Sequence, residues 1–313
     1  FMLDMDRVFV SASVGVAPFP AASAHMAELL RHADQAMYAA KQAGRNRFVH
    51  FHQGLQAAAL ERAKLANDLR TALGNQELEV YYQPIVALDG GGIRKAEALL
   101  RWNHPLRGYV NPAEFIPLAE SSGLIIEIGE WVFGQALAQV KRVRALFDPA
   151  FQISINVSPV QVHSDQALAD RWLGQLRTAG VAPGAIGIEI TEGVLLDLTR
   201  GANDTLKRFG DAGIQIALDD FGTGYSSLAY LRKFDIDYLK IDRAFIHNVA
   251  SNAADLALCE AIVAMAHKLG LKVIVEGIET VTQLELMKSM GCDFGQGFHF
   301  SRPVSASQFE ALL

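Results

Sequence analysis

An α/β protein built on a (β/α)8 barrel of the TIM type is predicted by three features of this sequence. From about Leu78 onward, eight short apolar runs of strand character alternate with amphipathic helical stretches. The alternation extends over ~250 residues, the usual span of such a barrel. Polar side chains recur on one parity of the runs and mostly near their C-terminal ends, where barrels carry their active sites. A doubly wound sheet is the competing fold, but no GxGxxG fingerprint follows the first run.

The predicted strands, in order, are LEVYYQPIVAL (78–88), IRKAEALLRW (93–102), FQISINVS (151–158), IGIEITEG (186–193), IQIALDDFG (214–222), YLKID (238–242), KVIVEGIE (272–279) and DFGQGFHF (293–300). Helical segments such as DQALADRWLGQLRTAG and NAADLALCEAIVAMAHKLG lie between them, the second stopping at Gly270 in the manner of a helix C-cap. Ahead of the barrel, LQAAALERAKLANDLRTAL (55–73) reads as one helix joining two domains, with Leu60, Leu65, Leu69 and Leu73 among its apolar positions.

Half of the 313 residues are hydrophobic and a fifth are charged, an ordinary globular composition with length enough for a large core. A net charge of -6 argues against a surface for a nucleic-acid polymer. A phosphate-bearing ligand would need local help from metals, Arg or Lys. Cys259 and Cys292 fit no CxxC spacing and read as reduced thiols. No apolar run approaches the ~20 residues that span a bilayer. Asp4, Asp6 and Arg7 leave no signal-peptide pattern. The expected setting is the cytoplasm, for a free protein or for the cytoplasmic part of a longer, membrane-anchored one, with no membrane contact within this stretch.

Alternate residues of a strand point to opposite faces. Ile186, Ile188 and Ile190 oppose Glu189, and Ile214, Ile216 and Leu218 oppose Asp219. Ser154, Asn156 and Ser158 share a face; so do Glu97 and Arg101, and Lys240 and Asp242; Glu276 opposes Val273 and Val275. Six strands thus send polar groups to one mouth. The mutual repulsion of Glu97, Glu189, Asp219, Asp220, Asp242 and Glu276 would destabilise the fold unless a divalent cation or a salt-bridge network offset it. Oxygen-only ligands favour Mg²⁺ or Mn²⁺ over Zn²⁺. Asp219 and Asp220 are adjacent and need a bend to serve one centre, which the glycines after them allow. A pair of ions ~3.5–4 Å apart would use both.

EALLRW (97–102), followed by NHPLRGYVNPAEFIPLAE (103–120), resembles the EAL domain, a family of cyclic di-GMP phosphodiesterases. YYQPIV (81–86), NVS (156–158), EITE (189–192), DDFGTGYSSL (219–228), LKID (239–242), EGIET (276–280) and GQGFHFSRP (295–303) follow in the family's order. The resemblance runs from about Leu60 to the C-terminus. It implies a barrel whose first strand is antiparallel to the rest, and metal-dependent hydrolysis of cyclic di-GMP to linear pGpG. It also implies Mg²⁺ or Mn²⁺, two ions in number, as cofactors and Ca²⁺ as an inhibitor.

By position, Glu97, Asn156, Glu189 and Asp219 match the family's metal ligands, and Asp220 the neighbour that helps hold a second ion. Glu276 matches the carboxylate proposed as general base and as a partial metal ligand, Lys240 the lysine near the attacking water, and Asp242 belongs to the same motif. Arg101 matches a phosphate contact; Gln83, Glu279, Gln296 and Pro303 match positions around the substrate. Glu192 and the loop through Gly222, Thr223, Gly224, Tyr225 and Ser226 match the element that couples the metal site to a homodimer interface. None of these positions departs from the family pattern.

The first fifty residues carry a second resemblance. SASVGVAPFP (11–20) and LLRHADQAMYAAKQAGRNRFVHF (29–51) look like the closing portion of a GGDEF, or diguanylate cyclase, domain, although the GGDEF signature itself is absent. The expected organisation is a GGDEF remnant at 1–53, a connecting helix at 54–75 and an EAL barrel at 76–313, as in a fragment of a tandem protein. The remnant by itself is no cyclase.

The residues support the same chemistry on physical grounds. Paired divalent ions lower the pKa of water and clamp the oxygens of an in-line displacement. Lys240 and Glu276 can position and deprotonate that water, and Arg101 offers a fork-shaped donor to phosphate. One rival is a receptor that binds cyclic di-GMP without cutting it and signals through its dimer interface; the joint presence of ligands and base speaks against it. Another is a Schiff-base enzyme using Lys240, which the surrounding acids oppose by holding the lysine charged. His104 reads as a turn residue, His299 as a non-ligand, and Trp102, Trp131 and Trp172 as packing residues.

Overall fold

The computed structural model describes residues 2–3, 6–7, 10–19, 25–44, 46–165, 167–196, 200–222 and 234–313. It divides into two compact units, Phe1–Thr71 and Ala72–Leu313. Thr223, Gly224, Tyr225 and Ser226 of the expected coupling loop lie outside the described residues.

In the first unit, strands Val14–Val16 and Phe48–His50 pair in parallel beneath helix Met26–Gln42. Gly15 lets the helix approach, since a Cβ there would lie 1.9 Å from the Ala33 carbonyl oxygen. His32, buried on that helix, stacks on Phe51 at 3.8 Å. The helix expected over 55–73 runs from Gln53 to Ala72, so nearly all of it falls within this unit.

The second unit is the barrel. Its strands are β1 (Leu78–Ala87), β2 (Ile93–His104), β3 (Gln152–Asn156), β4 (Ile186–Thr191), β5 (Gln215–Phe221), β6 (Tyr238–Ile241), β7 (Lys272–Val275) and β8 (Phe294–Gly295). Every predicted run contains a strand, but the last two, expected over 272–279 and 293–300, shorten to Lys272–Val275 and Phe294–Gly295. The order β1-β8-β7-β6-β5-β4-β3-β2 closes on itself through β1–β2 pairing. β1 is antiparallel to both neighbours, with Phe294 opposite Ala87 and Leu78 opposite Trp102. The remaining contacts around the ring are parallel. A three-residue strand, Gly108–Val110, adds an edge to β2.

The apolar parity of the strands faces the helices. Ile153, Ile155, Ile186, Ile188, Ile190, Leu218, Leu239, Ile241, Val273 and Val275 are all buried there. Burying each such side chain contributes about 1.5–3 kcal/mol, which fixes the opposite, polar parity inward. Helix ends follow local chemistry. Asn111 caps Pro112–Ser122 by accepting from the Ala113 N–H, and Gly123 closes that helix at φ 78°. Trp172 and Trp102 pack as expected, their indole N–H groups donating to Glu130 and Glu77 at 3.0 Å each. His104 is a turn residue: its Nδ1 accepts from the Leu106 N–H at 3.1 Å. Among the described residues no helix is long and apolar enough to cross a membrane.

Candidate active site

The polar parity of the strands converges on the Lys240 ammonium at the C-terminal mouth of β6. Lys240 has no solvent exposure, and its Nζ reaches four carboxylates: Glu189, Glu276 at 2.5 Å, Asp219 at 3.2 Å and Glu97 at 3.7 Å. Each carboxylate comes from a different strand or strand end, so the cluster exists only in the closed barrel. Burial by itself would lower the Lys240 pKa. The acids, led by Glu189 and Glu276, outweigh it and hold the amine charged, well above its ordinary value. This disposes of a Schiff-base role, which needs a neutral amine.

One ammonium does not balance four carboxylates, and the surplus appears in their proton affinities. Burial, with Glu97 beside it, pushes Glu189 up to about 8 despite Lys240. Burial likewise raises Glu276 to about 7, against the pull of Lys240. Asp220 is raised by burial and by Asp219. Neutral donors satisfy Glu97 and Glu189 as well. Asn156 Nδ2 donates to Glu97 Oε1 at 2.6 Å, and Gln296 Nε2 to Glu97 Oε2 at 2.7 Å. Ser154 Oγ donates to Glu189 Oε1.

The adjacent acids are separated by a β-bulge. Leu218 pairs with Leu239 and Phe221 with Ile241, so β5 carries one residue more than β6 between those points. The sequence assigned the bend to the glycines that follow, but it begins at Asp220 itself, a non-glycine residue at φ 55°, and continues at Gly222, φ 95°. Bulges re-aim side chains next to functional sites in this way. The Asp220 N–H also donates to Asp219 Oδ1 at 3.0 Å. The Gly222 N–H donates to Glu192 Oε1 at 2.8 Å, which ties the predicted coupling residue to the root of its loop.

Above the cluster opens a cleft of about 250 Å³ lined by Gln83, Glu97, Leu99, Asp219, Arg243, Glu276, Gly277, Glu279, Gln296, Gly297 and Phe298. Gln83 is positioned by donating to the Ser301 carbonyl at 3.0 Å and accepting from Gln296 Nε2 at 2.9 Å. Gln296 Oε1 is buried with no hydrogen-bond partner among the described residues. Pro303 stands off the cleft lining, beside the bridge of Val304 to Tyr82. Arg101 also lies off the lining: its Nη1 donates to the Leu100 carbonyl at 2.9 Å. Asp242 caps helix Arg243–Ile246, accepting from the Ala244 N–H at 2.8 Å, and its charge acts on Asp220.

The EAL domain family matches residues 66–303 of this chain. The chain belongs to that family. Residues 1–47 match the diguanylate cyclase, GGDEF domain. Over 313 residues the chain is 38% identical to the bifunctional diguanylate cyclase/cyclic di-GMP phosphodiesterase MucR of Pseudomonas aeruginosa, covering all of this chain and 46% of that protein. It is 36% identical over 311 residues to NbdA of the same species, a cyclic di-GMP phosphodiesterase, covering 99% of this chain and 40% of that one. The chain therefore spans less than half the length of these curated relatives. Among solved structures, the PaMucR phosphodiesterase in complex with c-di-GMP is 39% identical with a TM-score of 0.75, the likeness covering 79% of this chain and 99% of that one. The EAL enzyme Bd1971, bound to cAMP and cyclic-di-GMP, gives 36% and 0.77 over 82% and 69%.

Within the EAL barrel, the donors Glu97, Asn156, Glu189, Asp219 and Asp220 suit a hard divalent cation by their chemistry: all offer oxygen, and their charge exceeds what Lys240 neutralises. Among the described residues no three His, Cys, Asp or Glu side chains stand in ligand geometry, because the carboxylates turn to the Lys240 ammonium. Of the two sources of cohesion open from the sequence, a cation or a salt-bridge network, the second is supplied in part by this lysine.

Three further residues at or below the site have no assigned role in the sequence motifs. Ser154 had the right parity, which was the available signal. Arg243 had none, because it reaches the cleft as the first residue of the short helix after β6. Lys95 is buried one layer below Glu97, with its Nζ 2.5 Å from Gln152 Oε1 and 3.7 Å from the centre of the Tyr238 ring. Burial and nearby Lys272 lower its pKa to about 7.

Proposed function

We propose that this EAL barrel hydrolyses one phosphodiester bond of cyclic di-GMP to give linear pGpG, in a reaction that depends on Mg²⁺ or Mn²⁺. The observation that carries the reading is the convergence of Glu97, Asn156, Glu189, Asp219, Lys240 and Glu276 at the floor of one cleft in a chain of this family. EAL domains are generally metal-dependent phosphodiesterases, and relatives bear that activity in their names.

Bound divalent ions would supply an acidified water and charge neutralisation at the phosphate. The chain's own residues do the rest. Glu276 takes the proton of the attacking water, and Lys240 at 2.5 Å fixes its orientation. Glu97, Asn156, Glu189, Asp219 and Asp220 would hold the ions. Gln83, Gln296 and Glu279 meet the purine end from the cleft wall. The buried Gln296 acceptor favours a ligand that brings an N–H donor, as guanine does.

Product analysis in parallel with Mg²⁺, Mn²⁺, Ca²⁺ and EDTA tests this. Turnover to pGpG is expected with the first two and none with the others. Binding that persists in EDTA with no turnover in Mg²⁺ or Mn²⁺ would establish the receptor reading instead. The same proposal makes the barrel a homodimer, with Glu192 coupling the interface to the site through Gly222. A fully active monomer by light scattering would remove that coupling.

A further inference from the structure

The walls of the cleft are strongly acidic. Glu97, Asp219, Glu276 and Glu279 line it, against a single lining cation, Arg243, among the described residues. Lys240 lies behind the wall, fully buried and shared among four carboxylates, so it does not reach a ligand. Arg101 is turned aside, its guanidinium on the Leu100 carbonyl and 5.7 Å from the centre of the Tyr81 ring. Among the charged residues that line this cleft, Arg243 is the one that a phosphodiester anion meets with opposite charge.

Arg243 is built to offer that charge. Its backbone is fixed as the first residue of helix Arg243–Ile246, held by the Asp242 cap. It is pressed against Gly277, where a Cβ would come within 2.4 Å of Arg243 Cβ. Gly277 also sits at φ 72°, in the left-handed region, so both its conformation and its neighbour require glycine. The root of the arginine is therefore locked to the segment that carries Glu276. Arg243 is an exposed residue and its guanidinium makes no ion pair or hydrogen bond among the described residues.

We propose that Arg243 binds non-bridging phosphate oxygens of the substrate from the Glu276 side of the cleft and sets substrate affinity. The inference rests on the phosphodiesterase reading of the site. A guanidinium presents two parallel N–H donors to a phosphate. The contact is made equally in the bound substrate and the transition state, so it belongs to KM and not to kcat.

The experiment compares wild type with Arg243→Ala, Arg243→Gln and Arg243→Lys in steady-state hydrolysis of cyclic di-GMP. It adds calorimetric binding of cyclic di-GMP on a Glu276→Gln background, and Mn²⁺ affinity and melting temperature for each variant. Arg243→Ala and Arg243→Gln are expected to raise KM and Kd together by about 10- to 100-fold, the weight of a charge-assisted hydrogen bond. Their kcat, Mn²⁺ affinity and melting temperature stay near wild type, and Arg243→Lys falls between. Should Arg243→Ala fail to fold, the longer Gln and Lys side chains carry the test. KM and Kd within about twofold of wild type in the charge-removing variants would overturn the proposal, twofold being below half a kcal/mol. A loss confined to kcat would overturn it too, since the group would then act only in the transition state. A wild-type protein that neither binds nor cuts cyclic di-GMP fails the functional reading itself, whereas active wild type with unaffected variants fails this inference alone.

Discussion

Lys240 holds one positive charge among four carboxylates in a space closed to solvent. Removing one partner of a buried charge cluster is far costlier than never having built it, at roughly 3–5 kcal/mol. Lys240→Met is therefore expected to lower the unfolding free energy of metal-free protein by that amount in urea titrations; an unchanged midpoint would mean the acids are offset in some other way. Glu276→Gln keeps size and hydrogen bonding but cannot accept a proton. It should reduce kcat by roughly 10²-fold or more, the usual weight of a general base, with little change in melting temperature, because three carboxylates still face Lys240. Gly277→Ala should be costly for two reasons already named, the left-handed φ and the Arg243 contact. The expected loss is about 1–3 kcal/mol of stability, together with lower activity because Glu276 precedes it.

At the scale of elements, the bulge in β5 and the helix contacts around the barrel hold the site in place. Helices Ile125–Leu146 and Leu168–Ala179 are clasped by Arg171, whose Nη1 donates to Asp165 Oδ1 at 3.0 Å and whose Nη2 donates to Glu130 Oε2 at 3.3 Å. The hydrogen bond from Arg171 holds the Asp165 carboxyl below its ordinary pKa. A depressed carboxylate contributes stability that is present above its unfolded pKa and is lost as pH falls through the folded value. Asp165→Asn should thus cost about 1 kcal/mol at pH 7, with the gap to wild type closing below about pH 4. A gap that stays constant down to pH 3 would assign the cost to packing. The bulge had no local signal, because φ at Asp220 depends on how β5 pairs with β6. Parity, in contrast, was legible strand by strand, since alternation is a property of each backbone segment alone.

For the molecule as a whole, both thiols lie inside the barrel unit. Burial raises Cys259 to about 11 and Cys292 to about 12. The thiolate is the reactive form, so neither should label with a disulfide reagent at pH 8 until the unit opens. The labelling rate should then follow urea denaturation; fast labelling of native protein would contradict the burial. The sequence by itself determined the strand runs, the apolar parity and the identity of the acids, because these follow from local periodicity and residue chemistry. The family motifs added the antiparallel first strand, which periodicity does not encode, since strand direction is set by the connection and not by the strand. Only the tertiary structure decided that Lys240 stands at the centre of the carboxylates, that Arg101 turns from the cleft and that Arg243 enters it. Those outcomes depend on distances between side chains far apart in the chain, and barrel closure alone sets those distances.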